Sequence, residues 1–308
     1  MLGDLVLDVV LAPAEQLAPG TDVPGRVALC QGGSAANTAR WLGRLGMVTT
    51  LVTAVGRDGA GRALVEAVQS DGVVVRASRV TGRVTGRIGV LVTPDGERSF
   101  VADRGAADFL AVADLRPAWF AGIELLHLPV YSLLGDTLGA AGREAVRLAR
   151  AGGARVSLDL ASVGPLLAGG RPAALELVRA VGPDVLFATA TELQALLGSS
   201  GRLSERAAAA GTGLAPIVVI KRGSKGATVA FRVGGDAEPL RFDVATKPIA
   251  ATDTTGAGDA FDAGFIAGWL TARAAGRGVT AGLRQAAVAG HRAAARQVSV
   301  RRPELSLR

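Results

Sequence analysis

The chain has 308 residues, about half of them apolar, and a net charge of +7 carried almost wholly by arginine. One cysteine, Cys30, and two distant histidines, His127 and His291, argue against a disulfide framework, a cysteine metal cluster and a Ser-His-Asp triad. Aromatic residues make up 4% of the chain, too few for a base-stacking platform, so the positive charge reads as a field for anionic substrates rather than for nucleic acid.

No apolar run reaches the roughly 18 residues of a membrane span. The segment Met1–Val10 carries Asp4 and Asp8 and has no basic start, unlike a secretory signal, so a reducing cytoplasm is the expected compartment. Residues 4–10 read as a buried strand, a few residues short at its beginning, with Asp8 near its carboxyl end, where open α/β sheets bind ligands. Residues 11–24, with Pro13, Pro19, Gly20 and Pro24, read as an irregular or edge segment. The spacing of Ala35, Ala39, Leu42 and Leu45 predicts a helix, with Ser34 as its N-cap and Gly46 as its stop. Gly32 and Gly33 before it allow close approach of a ligand, and Asn37, one turn in, offers a donor and an acceptor.

Residues 48–55 read as a second strand, turning through Gly56-Arg57-Asp58-Gly59 into a helix, and Val73–Val75 reads as a short strand. Residues 80–102 have hairpin grammar, with Pro94-Asp95-Gly96-Glu97 as the turn, and are expected to stand off the main sheet as a flap that pairs with segment 11–30. From Leu110 strands and helices alternate. The strands are Val156–Leu160, Pro183–Phe187, Pro216–Ile220 and one through Phe231, and residues 281–297 close the chain as a helix. Short loops between such units imply a mostly parallel sheet covered on both faces, and there is no internal repeat or linker long enough to divide the chain.

The stretch with the most chemistry is Asp253-Thr254-Thr255-Gly256-Ala257-Gly258-Asp259, followed by the apolar run from Ala260 to Leu270. A bare loop entering a helix presents unpaired N–H groups, a ready anion site. A carboxylate in that first turn would repel a phosphate, so Asp259 makes better sense as a base that deprotonates the attacking group.

The early Gly32-Gly33…Asn37 and the late Asp253–Phe261 stretch together resemble the two signatures of the ribokinase-like (PfkB) carbohydrate kinase family. Gly56–Gly59, Asp95–Arg98 and Lys221-Arg222-Gly223…Gly226 fall in family order between them. The resemblance implies a single domain over 1–308. Its fold would be a ribokinase-like three-layer α/β/α arrangement with a mostly parallel central sheet, carrying a β lid from about 11–31 and 79–104. It further implies transfer of the γ-phosphate of ATP, with Mg2+, to a hydroxyl of a sugar or sugar-derived molecule. Asp259 would be the base and Gly256, Ala257 and Gly258 the anion hole. Asp8, Gly32, Gly33 and Asn37 would hold the acceptor, with Arg98, or Arg104 beyond it, for an acidic one. Thr189, Lys221, Arg222, Gly223, Gly226 and Thr255 would border the nucleotide, and Glu192 would hold magnesium through water. A homodimer joined through the lid is the expected assembly.

Two positions depart from the family pattern. Thr189 stands where an asparagine is usual, and Val298–Pro303 lacks the glycine of a potassium loop, which leaves only Asp253 for a monovalent cation. A nucleoside kinase of the same family is the nearest alternative. A dinucleotide-binding oxidoreductase lacks its G-x-G-x-x-G after the first strand, and a non-catalytic sugar sensor would not need Asp259.

Overall fold

The computed structural model describes residues 1–93, 98–199, 205–234, 238–249 and 253–307. The expected turn at residues 94–97 and residues 250–252 lie outside them. The central sheet runs in the order β12(Leu240–Val244), β11(Ala227–Phe231), β10(Ile217–Lys221), β9(Val185–Thr189), β8(Arg155–Asp159), β7(Leu125–Pro129). Strands β7 to β10 are mutually parallel, and β11 and β12 add antiparallel pairs at one edge. Alternate residues of these strands feed two cores. Leu186 and Ala188 join the cluster with α3(Thr137–Ala151), α5(Arg171–Val181), α6(Ala190–Leu197) and α7(Glu205–Gly211). Val185 and Phe187 join the cluster with α8(Ala257–Ala274) and α9(Val279–Ser299). That alternation is the period-two signature of strands buried on both faces, and it yields the expected three layers.

The first expected strand is divided between two sheets. Met1–Gly3 lies between β7 and β3(Thr50–Gly56): Leu2 N–H donates to His127 O at 3.2 Å and Gly3 N–H to Val52 O at 3.1 Å. The chain then passes into β1(Val6–Pro13), which belongs to a separate sheet of order β2(Gly25–Gly32)-β1-β5(Thr85–Val92)-β6(Arg98–Gly105). Asp8 therefore sits on a lid strand, not at the end of a central one. The strand also continues to Pro13, past the expected end at residue 10, because β2 supplies backbone partners as far as Gly25. The short strand expected at Val73–Val75 is β4(Val74–Val80), lengthened by pairing in parallel with all of β3. The lid thus consists of four strands, with β1 parallel to β5 and both outer pairs antiparallel.

Asp58 ties lid to body. At the N-cap of α2(Gly59–Gln69), its carboxylate accepts from Gly61 N–H at 2.8 Å, from the Thr85 hydroxyl at 2.6 Å and from Thr85 N–H at 2.8 Å. Replacing Asp58 with Ala leaves the Gly61 N–H of α2 and the N–H and hydroxyl of Thr85 at the start of β5 without this acceptor. We expect a loss of about 2 kcal/mol in urea unfolding, the sum of a lost cap and a partly buried hydrogen bond. An unchanged midpoint would show that solvent replaces those bonds.

Candidate active site

Residues Ser34–Arg44 form α1, whose cap is Gly33 rather than Ser34. Gly33 has φ +100°, and a side chain there would lie 2.4 Å from Asp4 O, so only glycine fits this entry. Ser34 is released from capping. Its hydroxyl donates instead to Asp259 Oδ1 at 2.7 Å, while Asn37 Nδ2 donates to Asp259 Oδ2 at 2.8 Å. Two ends of the sequence meet here: α1 supplies the donors and the first turn of α8 the carboxylate. Burial pushes the Asp259 carboxyl up to about 6, against the Asn37 and Ser34 hydrogen bonds, which favour the charged form. Asn37 is itself oriented by Gln31 Nε2, which donates to its Oδ1 at 3.1 Å, and Arg40 Nη1 donates to Gln31 Oε1 at 2.6 Å.

The loop before α8 is a cradle. Gly256 caps the helix in the left-handed region at φ +75°. Ala257 N–H turns back to Thr254 O at 3.1 Å, but the N–H groups of Gly258 and Asp259 make no backbone hydrogen bond among the described residues. Gly258 is exposed and Gly256 and Ala257 partly so, which leaves the donors facing solvent. Unpaired N–H groups at the positive end of an 18-residue helix favour an anion.

Below the cradle lies the carboxyl edge of the central sheet. Lys221, the last residue of β10, reaches Asp159 Oδ1 on β8 at 3.0 Å and Asp262 Oδ2 on α8 at 2.9 Å. Burial alone would lower its pKa, but the charges of Asp159, Asp262 and Glu192 outweigh that and hold the ammonium protonated well above its ordinary range. Beside them, Thr189 and Glu192 form a capping box on α6: Thr189 N–H donates to Glu192 Oε2 at 2.7 Å and Glu192 N–H to Thr189 Oγ1 at 3.2 Å. Burial is the main cause raising the Glu192 pKa, with the nearby Asp159 charge adding to it.

Asp253, at the head of the loop, is shared. Its Oδ1 accepts from Thr255 N–H at 2.8 Å and from Arg98 Nη1 at 3.3 Å, and Arg302 Nε stands 3.4 Å from its Oδ2. Arg302 also donates through Nη1 to Asp8 Oδ2 at 2.6 Å. It comes from the tail, whose Leu305 N–H donates to Leu29 O on β2 at 2.8 Å, with a further bridge between Cys30 and Glu304. Burial raises the Asp8 pKa, and Arg302 opposes the rise.

A partly buried carboxylate thus stands beside unpaired N–H groups at the start of α8. The family model described as pfkB family carbohydrate kinase matches residues 1–307. The chain belongs to that family. Among curated relatives, it is 30% identical to a fructokinase of Salmonella typhimurium over 87% of this chain and 82% of that protein. It is 34% identical to an ATP-dependent ribose-1-phosphate kinase of Halopiger xanaduensis over 78% and 73%. The adenosine kinase structure from Sinorhizobium meliloti superposes with TM-score 0.82 at 24% identity, covering 99% of this chain and 95% of that one. As a pfkB carbohydrate kinase, the protein is a phosphotransferase with an alcohol group as acceptor, on a ribokinase-like fold. No helix among the described residues is long and apolar enough to cross a membrane.

In this kinase the predicted residues divide into three groups. Asp259, Gly256, Ala257, Gly258, Gly33 and Asn37 come together at one point. Thr255 and Arg98 lie beside them, but Arg98 is not directed at an open acceptor pocket. Its Nη1 donates to Thr255 Oγ1 at 2.7 Å and its Nη2 to the Thr254 hydroxyl, so the lid strand β6 is laid on the loop before α8. Arg222, Gly223 and Gly226 form the turn from β10 to β11, with Arg222 Nη2 3.5 Å from Asp243 Oδ2. Ser34, Asp159, Asp262 and Arg302 carry no functional role predicted from the sequence. A usable signal existed for Asp262 alone: it is an acid in an otherwise apolar helix, three residues after Asp259.

Proposed function

We propose that this kinase transfers the γ-phosphate of ATP to a hydroxyl of a sugar or sugar-derived small molecule, with Asp259 as general base. The observation that carries the reading is the Asp259 carboxylate, held by Ser34 and Asn37, beside unpaired N–H groups at the start of α8.

The parts fit the groups the reaction needs. The Gly256–Gly258 cradle suits the terminal phosphate of ATP, because the Gly258 and Asp259 N–H groups are free of backbone partners and the glycines leave the space unfilled. Phosphoryl transfer depends on alignment and on fixed donors where charge accumulates, and the helix start provides both. Asp259 accepts the proton of the attacking hydroxyl at its carboxylate, while Asn37 and Ser34 keep that carboxylate turned toward the cradle. Glu192 keeps one oxygen without a hydrogen-bond donor among the described residues and is suited to hold Mg2+ through water. Bound there, magnesium neutralises phosphate charge. No three His, Cys, Asp or Glu side chains are grouped as a ready metal site among the described residues. The lid over the cradle excludes water, which would otherwise compete with the acceptor. Lid-to-lid dimerisation belongs to the same reading.

Potassium does not fit. The Asp253 carboxylate is already covered by Thr255 N–H, Arg98 and Arg302, so two guanidinium groups stand where a cation would need room. The expected result is an equal rate in potassium and tetramethylammonium chlorides; several-fold activation by potassium would show that Arg302 or Arg98 gives way.

The acceptor is found by an ADP-release screen over fructose, ribose, ribose 1-phosphate, sugar acids and nucleosides. Release that requires one of the sugar-type acceptors supports the proposal. Release only with nucleosides favours a nucleoside kinase, and acceptor-independent release contradicts a kinase function.

A further inference from the structure

Three carboxylates act on one ammonium beneath the cradle: Asp159 on β8, Glu192 on α6 and Asp262 on α8. Lys221 is the ammonium that faces them. It is nearly buried, and it bonds to Asp159 and Asp262 at 3.0 and 2.9 Å. Asp262 is wholly buried, and its Oδ1 has no partner, so Lys221 is its bonded counter-charge. Lys221 also spans the strand between its partners: β10 pairs with β9, and β9 with β8, where Asp159 ends the strand. A Cβ built on Gly258 would lie 3.5 Å from Lys221 Nζ, so the ammonium is in van der Waals reach of the floor of the cradle.

We infer that Lys221 is a positioning residue for the proposed transfer. It pins the first turns of α8 to the sheet edge and supplies the fixed positive charge beneath the Gly256–Gly258 cradle. The inference rests on the proposed function for the identity of the anion in that cradle, and it assigns Lys221 to the protein beneath the nucleotide rather than to the nucleotide's border. The geometry gives the division of labour. The N–H groups of the helix start face the phosphate from above. The ammonium, nearly buried and locked by two carboxylates, holds those N–H groups in place and offsets carboxylate charge that would otherwise oppose a polyphosphate. A lysine free to swing would lose that effect to solvent screening; a buried one does not.

Single Lys221→Met leaves Asp159 and Asp262 without their cation and is expected to unfold readily. The decisive variant is therefore Lys221→Met/Asp262→Leu, which removes cation and buried anion together. We expect it to stay folded but to melt below the wild type, because Asp159 still loses its cation. We expect its affinity for MgATP, measured by calorimetry without acceptor, to fall about tenfold, the order expected when the charged contact that holds the loop's N–H groups in place is lost. Its affinity for AMP, which lacks the terminal phosphates, should be unchanged, and kcat should fall while KM for the acceptor holds. A double variant that binds MgATP and turns over like the wild type overturns the inference, as does an equal loss for ATP and AMP, which marks a merely structural role. The proposed function fails separately: a wild type that binds MgATP but phosphorylates no acceptor refutes the transfer, while the ATP-against-AMP comparison still decides the role of Lys221. A wild type that does not bind ATP overturns both.

Discussion

Asp259→Asn is expected to reduce turnover by about 10² to 10⁴, the usual cost of losing a positioned general base, while the protein stays folded. The hydrogen bonds explain why the fold survives. The new amide can keep its oxygen toward Asn37 Nδ2, which only donates there, and turn its NH2 toward the Ser34 hydroxyl, which can accept. Burial has raised the Asp259 pKa from 3.8 to about 6, which fixes the sign of two further effects. In the wild type the rate should fall as pH drops below about 6, because the protonated carboxyl cannot take the acceptor's proton. Between the unfolded and folded pKa the folded protein binds the extra proton, so this group lowers stability as pH rises through that window. Removing the charge relieves the penalty. Asp259→Asn should therefore melt no lower than wild type at neutral pH, with the difference shrinking toward about pH 4. Near-normal turnover in the variant would remove Asp259 from the chemistry.

Gly256→Val is expected to lower both ATP turnover and stability. The backbone there is left-handed, which costs a residue with a Cβ about 1–2 kcal/mol. A Cβ at this position would lie 3.4 Å from Gln297 Nε2 and 3.6 Å from Asn37 Nδ2, and the valine methyls reach further into the cradle. Gln297 Nε2 donates to Thr255 O at 2.9 Å and its Oε1 accepts from Trp41 Nε1 at 2.9 Å, so the displacement would also disturb the support of the loop. Gly256→Ala separates the causes: it carries the backbone strain with little of the bulk. Stability lost in both variants, more with valine, and ATP kinetics impaired only by Gly256→Val, is the expected pattern. Unchanged kinetics with valine would mean that no phosphate approaches this loop.

The loop before α8 was legible because Gly256 and Gly258 leave the backbone bare where an apolar helix begins, and Asp259 is written next to them. The alternation of strands and helices was equally plain, since strands buried on both faces leave continuous apolar runs. Less could be read of what the chain's ends do. The passage of Met1–Pro13 from one sheet into another leaves no mark in the hydrophobic pattern, because both sheets bury it. The full length of β4 was hidden because only three of its residues are branched aliphatics, while its pairing with β3 supplies the rest. Ser34 looked like a cap because serine before an apolar helix usually is one; Gly33, already at positive φ, takes that place and frees the hydroxyl for Asp259. Arg302 depends on the tail lying along β2, a contact that spans almost the whole chain and has no local signature. Lys221 was visible as a basic residue after a strand, but its bonds to Asp159 and Asp262 join residues 62 and 41 positions away and leave no local signature.

The central claim is that Asp259 and the cradle together move a terminal phosphate onto an acceptor hydroxyl. Its most direct test is to supply ATP labelled in the γ-phosphate with the acceptor found by the screen, and to follow the label in the wild type and in Asp259→Asn. The expected result is label on an acceptor oxygen with the wild type and almost none with the variant. Label released only as inorganic phosphate, or equal transfer by both proteins, would contradict it.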